Sequence, residues 1–186
     1  MDDAPGTAPF EVLRAALFAA RKHRSGKRKD ADESPYINHP LAVAAVLAEH
    51  GVEDPVTLQA ALLHDTLEDT ETTPAELERE FGFAVARVVL EVTDDKALEK
   101  RERKRLQIEK SAGLSERAKL VKLGDKICNA HDVAWSPPKD WPPSRRVEYL
   151  DWTERVVQGC RGTNPALEER YDRVLAEARG SLGIGG

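Results

Sequence analysis

Ala60-Ala61-Leu62-Leu63-His64-Asp65-Thr66-Leu67-Glu68-Asp69, followed by Thr70-Glu71-Thr72-Thr73, is the stretch of this 186-residue chain on which fold and chemistry both turn. Its first half is an apolar, helix-forming run. Its second half sets an imidazole and three carboxylates directly behind that run. Read as one continuing helix, His64 and Glu68 stand four residues apart, as do Asp65 and Asp69, while Asp65 and Glu68 stand three apart. The four polar groups then crowd onto neighbouring parts of one surface. Unpaired charges beside an apolar core cost on the order of several kcal/mol, and a divalent cation is their natural compensator. The expectation is an inner helix end that faces a cleft.

Outward from this stretch, helical spacing and helix punctuation recur. Residues 9–23 carry Val12, Leu13, Ala16, Leu17 and Ala20 at helical intervals. Pro40 opens a second helix that ends near Gly51, a C′ glycine. Asp54-Pro55 and Thr73-Pro74 each pair an N-cap side chain with proline in the first helical position. Glu76 stands where a capping box places its acid, and Phe81-Gly82 closes the short helix so begun. Residues 83–92 are apolar enough to be buried on several sides. Further helices are expected over residues 98–112, 115–135, 144–161 and 164–179, with proline-rich residues 137–143 as a loop. The glycine-rich end, residues 180–186, reads as a flexible tail.

No repeat, low-complexity tract or convincing strand interrupts this pattern. The fold expectation is all-α: an irregular bundle of about nine helices, too unequal in length for a regular four-helix arrangement. Residues 1–186 are read as a single domain with its core over residues 10–175. Hydrophobic residues at 40% and charged residues at 33% fit an ordinary globular protein. No apolar run approaches the ~18 residues that span a bilayer, and residues 1–9 lack the basic-then-apolar layout of a signal peptide. Cys128 and Cys160 fall in no metal-spaced pattern, so they are expected to be reduced thiols in a cytoplasmic protein. The net charge of −5 argues against general nucleic-acid binding. Locally the balance reverses: Arg21, Lys22, Arg24, Lys27, Arg28 and Lys29 fall within nine residues. Such a run suits a polyphosphate.

Two further residues join the central group. His39 stands at the mouth of a helix in Tyr36-Ile37-Asn38-His39-Pro40. Asp125 lies in the amphipathic run 115–135, where Val121 and Cys128 share its face, so it should point inward and needs a partner. Taken singly, His39 reads as a loop histidine, Asp125 as a salt-bridged helix residue and Glu68-Asp69 as a solvated helix end. Together, on separate helices, they make a ligand set of two imidazoles and two carboxylates: His39, His64, Asp65 and Asp125. That set suits Mn²⁺, with Zn²⁺, Fe²⁺ or Co²⁺ as competitors. The ligands are too few for a bridged pair, so one ion is expected.

The order His39, His64-Asp65, Asp125 resembles the HD-domain phosphohydrolases. The runs YINHP (36–40), AALLHDTLEDTETT (60–73), EVTDDK (91–96), ERKRLQIE (102–109) and AKLVKLGDKICN (118–129) narrow the likeness. They resemble the hydrolase domain of the RelA/SpoT homologues, and in particular the stand-alone small alarmone hydrolases, over residues 10–175. The resemblance implies an HD-type bundle that removes the 3′-pyrophosphate of (p)ppGpp, giving GDP or GTP and pyrophosphate, with Mn²⁺ as cofactor. By it, His39, His64, Asp65 and Asp125 hold the metal, and Glu68 and Asp69 are the catalytic carboxylates. Arg28, Lys29, Lys100, Asn129 and Tyr149 line the nucleotide and phosphate pocket, with Lys27 of the basic run beside them. Three positions depart from the pattern. Gly124 stands where alanine is usual, a change that loosens a helix by up to ~1 kcal/mol. Ala130 and His131 replace the usual apolar and basic residues.

Two other readings stay open at the level of sequence. One is an HD phosphohydrolase acting on a different phosphorylated nucleotide, such as NADPH, which would release orthophosphate. The other is a catalytically silent module that binds (p)ppGpp, against which the intact Glu68 and Asp69 argue.

Overall fold

The computed structural model describes residues 7–183, and among these it holds nine helices and no strand. In chain order they are α1 (Ala8–Lys22), α2 (Asn38–Glu49), α3 (Pro55–Leu63), α4 (Thr66–Asp69), α5 (Pro74–Val92), α6 (Lys100–Ser111), α7 (Glu116–Trp135), α8 (Pro143–Gln158) and α9 (Pro165–Ser181). A single antiparallel bridge, Lys27 to Pro35, pins the basic loop between α1 and α2. Among the described residues no helix is long and apolar enough to cross a membrane.

Local chemistry sets most of the helix starts. Asp54 accepts a hydrogen bond from the Thr57 amide at 3.1 Å, with Pro55 in the first position of α3. Thr73, Ser115 and Asn164 do the same for α5, α7 and α9 at 3.2, 3.3 and 3.1 Å. Each such cap contributes about 1 kcal/mol. The box expected at Thr73 is only half made: Glu76 turns its carboxylate to Lys22 of α1 at 3.0 Å.

Three expectations need correction, but the closing of a short helix at Gly82 is not one of them: Gly82 takes φ 80° and ψ 165°, so α5 is two helices meeting at a kink there. The segment after it is buried on one side only, since Phe83 and Leu90 are exposed. On α1 the buried residues are Ala15 and Ala19, while Leu13 and Leu17 face outward; small side chains let α1 lie close on α3. The glycine-rich tail begins later than expected, because Gly180 and Ser181 belong to α9. Residues 184–186 lie outside the described part.

α7 is the central element. It packs against α2, α3, α5, α8 and α9, and every residue from 120 to 128 is buried. Two of these are lysines, and both are compensated. Lys122 donates from Nζ to the Val92 carbonyl at 2.8 Å. Lys126 donates to Asp125 Oδ2 at 2.8 Å and lies 4.5 Å from the Trp152 ring centre. Packing α2 and α3 against each other and against α7 brings His39 and His64 to the level of Asp125. Cys128 and Cys160 are buried free thiols.

Candidate active site and metal centre

The chain breaks its helix at the point where chemistry is needed. α3 ends at Leu63 with His64 as its cap, and Asp65 sits at φ −95°, ψ −3°, a sparsely populated region in which active-site residues are common. α4 follows as a separate four-residue helix. The four polar groups of residues 64–69 therefore do not share one helical surface, as an unbroken helix would require. His64 and Asp65 join the buried centre, while Glu68 and Asp69 occupy its rim.

At the centre, His39 Nε2 lies 3.1 Å from Asp125 Oδ1 and 3.8 Å from Asp65 Oδ2. His64 Nε2 lies 3.2 Å from Asp65 Oδ2 and 3.8 Å from Asp125 Oδ1. One ligand atom each from His39, His64 and Asp125 falls within 4.8 Å of the others, and the Asp65 carboxylate adjoins both imidazoles. The four residues expected as ligands are thus brought together from α2, the α3–α4 junction and α7.

The hydrogen bonding of this cluster fits a cation. His64 donates from Nδ1 to the Ala61 carbonyl at 2.8 Å, which in the neutral ring leaves Nε2 bearing a lone pair. That Nε2 is buried without a hydrogen-bond partner and faces two carboxylate oxygens. Lone pair against anion is repulsive unless a positive charge sits between them. Burial alone would keep His64 neutral, yet Asp65 and then Asp125 outweigh it and push its pKa up to about 10. Burial would likewise raise the Asp125 carboxyl, but Lys126 and the two histidines hold it well below the usual range. Both shifts express one demand for positive charge, which a divalent ion meets in full.

Around these four candidate ligands lies a set of holding groups. Tyr36 donates its hydroxyl to Asp65 Oδ2 at 2.6 Å. Asn129 donates from Nδ2 to Asp125 Oδ1 at 2.5 Å, and Lys126 takes the other Asp125 oxygen. Residue pattern alone did not single out Tyr36 or Lys126. Their available signal was adjacency to a ligand or to the His39 turn.

At the rim, Glu68 Oε1 accepts from the Asp94 amide at 2.8 Å. Burial raises the Glu68 carboxyl to about 7; the Asp94 amide opposes the rise and Asp65 adds to it. Asp69 is more exposed and pairs with Lys96 at 2.5 Å. The two carboxylates thus differ: Glu68 is poised to exchange a proton near neutrality, and Asp69 is held by a cation.

Beside the rim opens a cavity of about 480 Å³ lined by Lys27, Arg28, Lys29, Tyr36, Asp69, Asn129, Trp141 and Tyr149. Arg28 is aligned by Asp132 at 2.5 Å and stands 3.5 Å from Asn129 Oδ1. Lys27 is largely exposed, 4.0 Å from Glu33. Lys100 is the one expected pocket residue that does not line this cavity. It sits at the start of α6, 6.0 Å from the Trp141 ring centre. Tyr149 packs between Trp141 and Trp152 with ring centres 5.2 and 5.1 Å away, and burial pushes its hydroxyl up to about 12. It therefore serves core and cavity at once.

Comparison with known proteins agrees with this geometry. An HD domain family profile matches residues 15–148. The guanosine-3′,5′-bis(diphosphate) 3′-pyrophosphohydrolase MESH1 of Homo sapiens is 54% identical over 173 residues, 92% of this chain and 97% of that protein. Its counterpart in Xenopus tropicalis is 52% identical over 167 residues, covering 89% and 93%. A solved structure, described as a metazoan orthologue of SpoT that hydrolyses ppGpp and plays a role in starvation responses, superposes with a TM-score of 0.87. It is 43% identical and covers 98% of this chain and 99% of its own.

Proposed function

The chain belongs to the MESH1 family of HD-domain guanosine-3′,5′-bis(diphosphate) 3′-pyrophosphohydrolases, and from that membership we propose that it cleaves (p)ppGpp to GDP or GTP and pyrophosphate with one bound Mn²⁺. The observation that carries the reading is the buried cluster of His39, His64, Asp65 and Asp125 beside a carboxylate of pKa about 7 and a basic cavity. These four residues would hold the ion, which when bound supplies Lewis acidity and charge neutralisation to a phosphate ester.

The protein's own groups account for the remaining work. Arg28 and Lys29, with Lys27 and Lys100 at the margin, bind the phosphates by charge-assisted hydrogen bonds. Asn129, Tyr149 and Trp141 border the space left for the nucleoside. Glu68 takes a proton from water as its oxygen attacks the phosphorus next to the ribose 3′-oxygen. The bond from that phosphorus to the 3′-oxygen breaks, the 3′-oxygen takes up a proton from solvent to become a hydroxyl, pyrophosphate departs and Glu68 returns its proton to solvent. Asp69, held by Lys96, orients the water from the other side. We further propose that residues 1–186 act as one hydrolase unit in the cytoplasm, on a small nucleotide with no nucleic acid or membrane partner.

The test is to incubate purified protein with ppGpp and Mn²⁺ and resolve the products by ion exchange. GDP and pyrophosphate are expected, and both should vanish with EDTA or with Glu68→Ala. Survival of ppGpp alongside orthophosphate release from NADPH would overturn the substrate assignment. Replacing Mn²⁺ by Zn²⁺, Fe²⁺ or Co²⁺ in the same assay decides the metal.

A further inference from the structure

Both rim carboxylates are gripped by one short segment, residues 93–97, between α5 and α6. Its Asp94 amide donates to Glu68 and its Lys96 ammonium pairs with Asp69. The segment is itself tied down from outside. Asp94 Oδ2 accepts from Gln107 Nε2 of α6 at 2.6 Å. α6 packs against α8, and the Trp152 indole donates to the Lys104 carbonyl at 3.1 Å. A continuous chain of contacts therefore runs from α8 through α6, Gln107 and Asp94 to Glu68.

We propose that Gln107 is a positioning residue for Glu68, acting through Asp94. Glu68 carries a flexible side chain, and the Asp94 amide is its one hydrogen-bond donor among the described residues. Proton transfer needs that carboxylate held to within a few tenths of an ångström, so whatever fixes the Asp94 backbone fixes Glu68. The state of Gln107 supports a directional role. Its Oε1 is buried with no partner, an unfavourable arrangement that an apolar residue of the same size would avoid. Packing alone does not call for an amide here; donation to Asp94 does. The charged groups that face Glu68 are Asp65, Asp94 and Lys122, and none of them replaces the amide as a directional hold.

The proposal rests on the reading of Glu68 as the base, and its test separates the two. In Gln107→Leu, kcat for ppGpp should fall about tenfold or more with KM within about twofold, the pattern of an interaction used in the transition state. The acid limb of the kcat profile should move to higher pH, because ionised Glu68 loses part of its hydrogen bonding. In the apoprotein the Asp94 amide should exchange with solvent about tenfold faster while α7 amides stay protected. Asp94→Ala should match Gln107→Leu, and the double variant should be no worse than Asp94→Ala alone, since both cut one chain. Asp94→Asn, which keeps an acceptor for Gln107, should recover most of the loss seen in Asp94→Ala. Unchanged kcat, pH limb and Asp94 exchange in Gln107→Leu would overturn the proposal, as would additive losses in the double variant. If Gln107→Leu fails to fold, Asp94→Ala carries the same test. If the native protein releases no pyrophosphate from ppGpp, the functional reading falls, and amide exchange still decides whether Gln107 holds the Asp94–Glu68 contact.

Discussion

Gly124 offers a prediction whose size can be worked from the packing. It precedes Asp125 on α7, and a methyl group built on it would stand 3.1 Å from Val43 Cγ1, 3.1 Å from Leu47 Cδ2 and 3.2 Å from Leu47 Cγ. Val43 and Leu47 are fully buried on α2. Helix propensity favours alanine by ~1 kcal/mol. Against it, carbon–carbon contacts relax near 3.5–4.0 Å, so α2 and α7 must part by roughly half an ångström. Overpacking of this kind costs ~1–3 kcal/mol, and the upper end applies because Val43 is restricted to one helical rotamer. Gly124→Ala should therefore destabilise by about 1–2 kcal/mol, lowering the melting temperature of a chain this size by about 3–6 °C. Combining it with Leu47→Ala should cost less than the two changes summed, by about 1 kcal/mol, because the new methyl refills the space. Melting of the metal-free variants measures both quantities. A Gly124→Ala protein that melts above the native one would refute the reasoning. It would mean that the glycine merely loosens the helix, as the sequence alone suggests.

Other consequences follow from the same contacts. Tyr36→Phe removes the 2.6 Å hydrogen bond to Asp65 and should weaken Mn²⁺ binding by about 10–100-fold in calorimetric titration; unchanged affinity would contradict the role given to Tyr36. Glu68 is raised by burial from the ordinary 4.5 to about 7, so its protonated form favours folding. That contribution is full below the unfolded pKa and is lost as pH climbs through about 7. Glu68→Gln should thus melt above native apoprotein at pH 8, with the gap closing by pH 5, while hydrolysis is lost. Native activity should rise with pH as Glu68 ionises, at a pH below about 7, because the bound cation favours the carboxylate. Asp132→Asn releases Arg28 from its 2.5 Å partner and should raise KM for ppGpp about threefold or more, with kcat less affected; an unchanged KM would show that Arg28 needs no alignment.

Much of the fold was legible because helix starts are written in single residues. Asp54-Pro55, Thr73-Pro74, Ser115 and Asn164 all cap where their chemistry says they should. Which face a helix buries was less legible. On α1 the leucines point outward and the alanines inward, since close approach to α3 rewards small side chains over apolar area. The break at Asp65 was also hidden: Leu62-Leu63-His64-Asp65-Thr66-Leu67 contains no glycine or proline to announce it, and tertiary contacts to Tyr36 and the histidines impose it.

The same contrast explains what was read of the site. Candidate metal ligands are restricted in residue type, so the cluster of His39, His64, Asp65 and Asp125 could be picked out before its distances were known. Lys122 and Lys126 were not singled out, because lysine is ordinarily a surface residue; Val92 and Trp152 receive them here. The Asp94 contact to Glu68 was harder still, because its donor is a backbone amide and any residue but proline supplies one. A group that acts through its backbone leaves no mark in composition or spacing. Its function is legible only in what fixes that backbone, which here is Gln107.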